Sequence, residues 1–241
     1  MDTLSSLEQP LAAIERSRLS RRGFFNGLMG VSAAALIAGC DTSDDNDGAG
    51  VTLDFSTDFG VLNYAYALEQ LEAAFYTQVV KTPYSGISAD ERALLGDIQA
   101  HEVIHRDFFK AALGSNAVGS LMVDFSSINF NDRASVLGTA RAFEDLGVSA
   151  YNGAGRFLKS ADYLTIAGKV VSVEARHAAV IRALLAPGTD SFANLAYSGA
   201  GIAAPVGSND ALGLDGAATP AQVLAIAGTY VKTSITLKNA A

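Results

Sequence analysis

The chain carries a single cysteine in 241 residues, so no disulfide can form within it. Basic residues are few: 17 Lys and Arg stand against 25 Asp and Glu, a formal net charge of −8. Phosphate binding needs clustered cations, and this balance argues against a nucleic-acid partner. It is compatible with collecting cations without establishing it. Beyond residue 40, no uninterrupted apolar stretch reaches the roughly 18 residues that would suggest a membrane helix. Charged residues make up only 17%, but 49% are hydrophobic, which is a globular composition rather than a disordered one. Past the N-terminal segment about 200 residues remain, enough for one sizeable core.

What is present starts at the N-terminus. Ser20-Arg21-Arg22-Gly23-Phe24-Phe25 precedes a 13-residue apolar run over 27–39. The run is too short to span a bilayer comfortably, and it ends in Ile37-Ala38-Gly39-Cys40. The arginine pair, the apolar run and the small residues before the sole cysteine resemble a twin-arginine export signal closed by a bacterial lipobox. An ordinary apolar helix with a chance cysteine is the plainer alternative. The resemblance implies export in the folded state, with a cofactor already loaded, and cleavage before Cys40. It also implies a periplasmic or otherwise extracytoplasmic protein anchored to a membrane by lipid on Cys40. Residues 40–57 then read as an acidic flexible tether. Asp41, Asp44, Asp45 and Asp47 lie there among Ser, Thr, Asn and Gly, a composition that forms no core.

From Asp58 onward the period is helical. Four helices are expected, over 58–80, 89–113, 132–159 and 162–186. Thr57 or Asp58 suits the first cap, Ser88 with Glu91 has capping-box spacing, Asn131 suits the third cap, and Gly114 can stop the second helix. The inward stripes read Leu62, Ala65, Glu69, Glu72, Tyr76, Val79; then Leu95, Ile98, Glu102, His105, Phe109, Ala112; then Leu137, Ala140, Glu144, Val148, Tyr151, Ala154; then Ala167, Val170, Glu174, His177, Ile181, Leu184. Steps of three and four make each stripe the seam of a bundle helix. Short links join helices one to two and three to four, which makes those pairs antiparallel. The stretch 114–130 is long enough to run the length of a bundle. The expected fold is therefore all-α: an antiparallel four-helix bundle over 58–187 with one long crossover between helices two and three. A Gly-, Ala- and Ser-rich extension, 188–241, should pack outside it, with Thr219-Pro220 opening a short helix to about residue 231.

The middle of each stripe holds the chemistry. Helix two has Glu102-x-x-His105 and helix four has Glu174-x-x-His177. Helix one has Glu69 and helix three Glu144, each followed seven residues later by a tyrosine, Tyr76 and Tyr151. Ionised carboxylates inside a bundle would repel one another and lose hydration at large cost. Two divalent cations would balance four carboxylates. Residues i and i+3 share a helix face, so each Glu-x-x-His can turn both side chains inward. Mixed oxygen and nitrogen donors suit iron or manganese. Glu72 shares the stripe with Glu69 and is the alternative ligand of helix one. Tyr76 and Tyr151 read either as core aromatics with a satisfied hydroxyl or as groups beside the metals. Asp145 and Asp107 read as solvated. His101-Glu102-x-x-His105 also matches the zinc-protease pattern, but that reading leaves the second Glu-x-x-His unexplained. His101 then falls to the helix surface or behind a ligand.

Two matched Glu and Glu-x-x-His pairs in this helix order are similar to the ferritin-like superfamily, alongside rubrerythrins and bacterioferritins. The segment Leu68-Glu69-Gln70-Leu71-Glu72-Ala73-Ala74-Phe75-Tyr76 and the Thr-Pro helix resemble its desiccation-related branch. The resemblance implies two iron ions, or iron with manganese. Glu102 and Glu174 would bridge them, Glu69 and Glu144 would be terminal ligands, and His105 and His177 would give one nitrogen each. It also implies reaction with oxygen or peroxide and a role in stress protection. A non-catalytic metal-binding or structural module at the cell envelope is the alternative. Expected partners are metal ions, the oxidant and a membrane through Cys40; a dimer is left open. The chain has no rubredoxin-like cysteine pairs, so it lacks an intrinsic electron-delivery domain of that type.

Overall fold

The computed structural model describes residues 50–193 and 214–241. Arg21, Arg22 and Cys40, and the stretch 194–213 of the extension, lie outside the described residues. Among the described residues five α-helices follow in order: α1 (Asp58–Lys81), α2 (Ala89–Leu113), α3 (Arg133–Ala154), α4 (Ala161–Leu185) and α5 (Pro220–Ala227). The pairs α1/α2 and α3/α4 pack along their lengths, and the chain crosses from one pair to the other between Leu113 and Arg133. This is the expected four-helix bundle with a single long crossover. Among the described residues, no helix is long and apolar enough to cross a membrane.

Local chemistry sets the helix ends. The hydroxyl of Thr57 accepts from the Gly60 amide and that of Ser88 from the Glu91 amide. Ser160 caps α4 through the Tyr163 amide. Gly114, at φ 54°, ends α2. Asp132, rather than Asn131, caps α3, accepting from the amides of Ala134 and Ser135. The capping box expected at Ser88 is only half made. The Glu91 carboxylate turns instead to Arg133 and to the Tyr84 hydroxyl, and Arg133 also donates to the Leu184 carbonyl at 2.7 Å. One guanidinium thus joins the starts of α2 and α3 to the end of α4. At the last turn of α2, Leu113 is buried and Ala112 exposed, because four residues after Phe109 lie closer to the inward face than three.

Helix α3 ends at Ala154, five residues before the expected stop, and continues as one tighter turn over Gly155–Phe157. The extension backbone docks on α3, with the Ala218 amide 2.9 Å from the Ser149 carbonyl. Gly153 permits the approach, since a Cβ there would stand 1.8 Å from the Ala218 oxygen. Thr219 and Gln222 then form a complete capping box, and Pro220 opens α5.

The expected tether does not stay featureless up to residue 57. Val51–Asp54 is a strand, β1, paired in parallel with β2, Ile235–Lys238, in the register Val51↔Ile235. Leu53 and Phe55 are buried in the main core. The sequence around residue 50 has too little apolar surface to make a core alone; its partner strand arrives from the far end of the chain.

The crossover and the extension explain why α1 is buried on nearly every face between Gly60 and Tyr76. Two amide side chains two turns apart hold the crossover onto α1. Asn63 donates to the Asn116 carbonyl and accepts from the Val118 amide, both at 2.8 Å. Gln70 accepts from the Leu121 amide at 2.9 Å and donates to the Gly119 carbonyl at 3.4 Å. Behind them Phe75 meets Phe125, Phe130 and Phe143 ring to ring. Asn63→Leu strands a half-buried carbonyl and amide. It should cost about 1–3 kcal/mol, read as a fall in the urea midpoint with the slope unchanged.

Candidate metal centre

The polar residues of the four stripes meet at mid-bundle. Glu69 comes from α1, Glu102 and His105 from α2, Glu144 from α3, and Glu174 and His177 from α4. They form two overlapping groups. Donor atoms of Glu69, Glu102, His105 and Glu174 all lie within 4.8 Å of one another, and so do those of Glu102, Glu144, Glu174 and His177. Glu102 and Glu174 belong to both groups; the other four belong to one each.

The contacts show how the sharing works. His105 Nδ1 lies 2.9 Å from Glu174 Oε1, 3.5 Å from Glu69 Oε2 and 3.7 Å from Glu102 Oε2. His177 Nδ1 lies 2.8 Å from Glu102 Oε1, 3.5 Å from Glu144 Oε2 and 3.7 Å from Glu174 Oε2. Each shared carboxylate therefore sends one oxygen to each histidine. The two halves repeat the same set of contacts, in keeping with the repeated Glu, Glu-x-x-His order.

The donor atoms fit a pair of cations. Glu69 Oε2, both oxygens of Glu102, His105 Nδ1, Glu144 Oε2, both oxygens of Glu174 and His177 Nδ1 are buried without a hydrogen bond. Their mutual approaches are close but not aligned as hydrogen bonds. Buried polar atoms normally find partners, and leaving one bare costs about 1–3 kcal/mol or more when charged. Here the bare atoms are the inward-facing ones, and they divide into two sets of four. Four carboxylates and two imidazoles are also the donor set that suits iron or manganese.

The remaining oxygens are satisfied. The Tyr151 hydroxyl donates to Glu69 Oε1, and the Tyr76 hydroxyl donates to Glu144 Oε1. The tyrosine of each odd helix thus holds the glutamate of the other. Burial, and then the glutamate beside each, push both phenols well above their ordinary range. Both therefore remain protonated donors.

Glu72 is buried one turn beyond Glu69 but stands in neither group. Its counterpart in the second helix pair is Gly147, and the missing side chain gives it room: a Cβ on Gly147 would lie 3.3 Å from Glu72 Oε1. Asp145, expected to face solvent, is fully buried. It pairs with Arg182 of α4, and Arg141 one turn back approaches at 3.7 Å. Burial, outweighing both guanidiniums, raises its carboxyl to about 6. Asp107 is exposed beside Arg106, as expected. His101 does not join His105 around one point as a zinc-protease pattern needs. Its Nδ1 lies 2.9 Å from Nε2 of His177 instead.

Without cations the site is neutralised by protons. Burial opposes charge on His105 and His177, but three carboxylates around each outweigh it and push both up to about 12. Burial raises Glu144 to about 8 and, with neighbouring carboxylates, lifts Glu69 and Glu72 well above the usual range. Glu102 is also buried, yet the two imidazoles hold it at about 2. A metal must displace the protons on the donors it takes up.

No curated protein matches the chain. A family model described as the ferritin-like domain matches residues 57–187, from the cap of α1 to just past α4.

Proposed function

The chain belongs to the ferritin-like domain family, and on that premise we propose that its bundle holds two iron ions, or iron with manganese, for reaction with oxygen or peroxide. The observation that carries this reading is the pair of carboxylates, Glu102 and Glu174, that face both histidines at once. Glu69 and His105 complete one position, and Glu144 and His177 the other. Metals bound there supply redox chemistry that carboxylates and imidazoles lack.

The chain's own residues do the rest. Tyr76 and Tyr151 hold one oxygen of each terminal carboxylate, leaving the second free to bind. The buried Asp145–Arg182 pair ties α3 to α4 one residue from Glu144, so both ligand-bearing helices keep their register. Leu95 and Ile98 toward one end of α2, and Phe109 and Leu113 toward the other, are buried and limit bulk water along the seam.

The arginine pair, the apolar run and Cys40 support export and a lipid anchor. The helix-one segment and the Thr-Pro helix support a stress-protective role of the desiccation-related kind.

Two measurements test the reading. After anaerobic loading with Fe(II) or Mn(II), the purified chain should carry about two ions. Mixed with excess Fe(II) and peroxide, it should keep oxidising iron well past that load. Oxidation that stops at the bound ions would make it a non-catalytic metal-holding module; no uptake at all would remove the centre.

A further inference from the structure

The two halves of the cluster match in their ligands but not behind their histidines. His177 carries Nδ1 among the carboxylates and its opposite edge, Nε2, outward. There His101 Nδ1 stands 2.9 Å away. The two rings are nearly parallel, 14° between planes and 5.1 Å between centroids. His101 lies four residues before His105 on α2. The matching position four residues before His177 on α4 is Val173, which has no group to offer the other histidine.

This asymmetry bears on the proton of His177. An imidazole nitrogen binds a cation only through its lone pair, so a ligating Nδ1 leaves the ring proton on Nε2. That Nε2–H then donates to His101 Nδ1, and His101 carries its own proton on the outer nitrogen. A hydrogen bond at the far nitrogen fixes both the tautomer and the ring plane of a metal-binding histidine.

We propose that His101 is a positioning residue that locks His177 in its metal-binding tautomer and makes the Glu144–His177 position the tighter of the two. The inference rests on the metal reading above. His101 is exposed, so replacing it leaves the core intact.

The test is a Mn(II) titration of the full chain, with free Mn(II) followed by electron paramagnetic resonance, for wild type, His101→Leu and His101→Asn. Wild type should show two stepwise constants. His101→Leu should weaken one by about 10- to 100-fold and spare the other. His101→Asn should restore it, because an amide oxygen can accept the same Nε2–H. With Co(II) bound, the shifted N–H resonance of His177 should exchange with water faster in His101→Leu than in His101→Asn. Unchanged constants in His101→Leu, equal losses at both positions, or equal losses in Leu and Asn variants would overturn the role of His101 while leaving the centre. A wild-type chain that takes up no Mn(II) would overturn both.

Discussion

Glu102→Ala alone should strip metal from both positions, whereas Glu69→Ala should strip it from one. Glu102 sends Oε2 toward His105 and Oε1 toward His177, so its loss removes an oxygen from each four-donor group. Glu69 belongs only to the group that contains His105. The double variant Glu102→Ala/Glu174→Ala leaves each position with one carboxylate and one imidazole, too few to hold a divalent ion against water. Metal analysis after anaerobic loading should read about two ions for wild type, about one for Glu69→Ala and none for the double variant. Thermal unfolding gives an independent readout. Metal at about 1,000 times its dissociation constant stabilises the folded chain by about 4 kcal/mol, roughly 10 °C for a domain of this size. That gain should vanish in the double variant. A Glu102→Ala chain that binds as much metal as Glu69→Ala would show that Glu102 does not serve both donor groups, even with the centre itself intact.

Stability of the metal-free protein should fall as pH rises from mildly acid to alkaline, the reverse of ordinary acid denaturation. Glu144 keeps its proton to about 8 in the folded chain, against an ordinary value of 4.5. Between those values the folded state holds a proton that the unfolded state has lost, so stability declines as pH increases. Glu69 and Glu72, also raised, act in the same direction from 4.5 upward. His105 and His177, ordinarily 6.5 and here about 12, contribute stability that is complete below 6.5 and lost as pH rises toward 12. Glu102, held at about 2, opposes them only below 4.5. Metal binding has the opposite sign, because the ion displaces those protons. Urea midpoints taken from about pH 5 to about pH 8 should therefore fall without metal, and the gap between loaded and metal-free protein should widen. A metal-free midpoint that climbs over this range would show that the buried carboxylates and histidines do not carry the protons assigned to them.

Much of this centre was legible along the chain because helical geometry is local. An acid three residues before a histidine on an apolar stripe faces the same way as that stripe, whatever the neighbouring helix does. The same holds for Thr57 and Ser88, whose hydroxyls each act on the amide three residues on. Glu69 stood ahead of Glu72 only through its tyrosine seven residues on, since both lie on the inward stripe. What distinguishes them is Gly147 on another helix, which leaves room for Glu72 beside the centre rather than in it. Asp145 read as solvated because it is charged and lies off the inward stripe of its helix. Its burial depends on Arg182, on the next helix.

The sequence by itself determined which residues form helices, which face of each turns inward, and that a Glu, Glu-x-x-His set recurs twice in mid-stripe. These follow from periodicity and capping, which act within a few residues. The tertiary structure decided the rest. It gave Glu102 and Glu174 an oxygen for each half, crossed Tyr76 and Tyr151 onto the opposite glutamates, set His101 behind His177, and joined β1 to β2 across the length of the chain. Each of these contacts links segments dozens of residues apart, and their positions are fixed only when the helices pack and close those loops together.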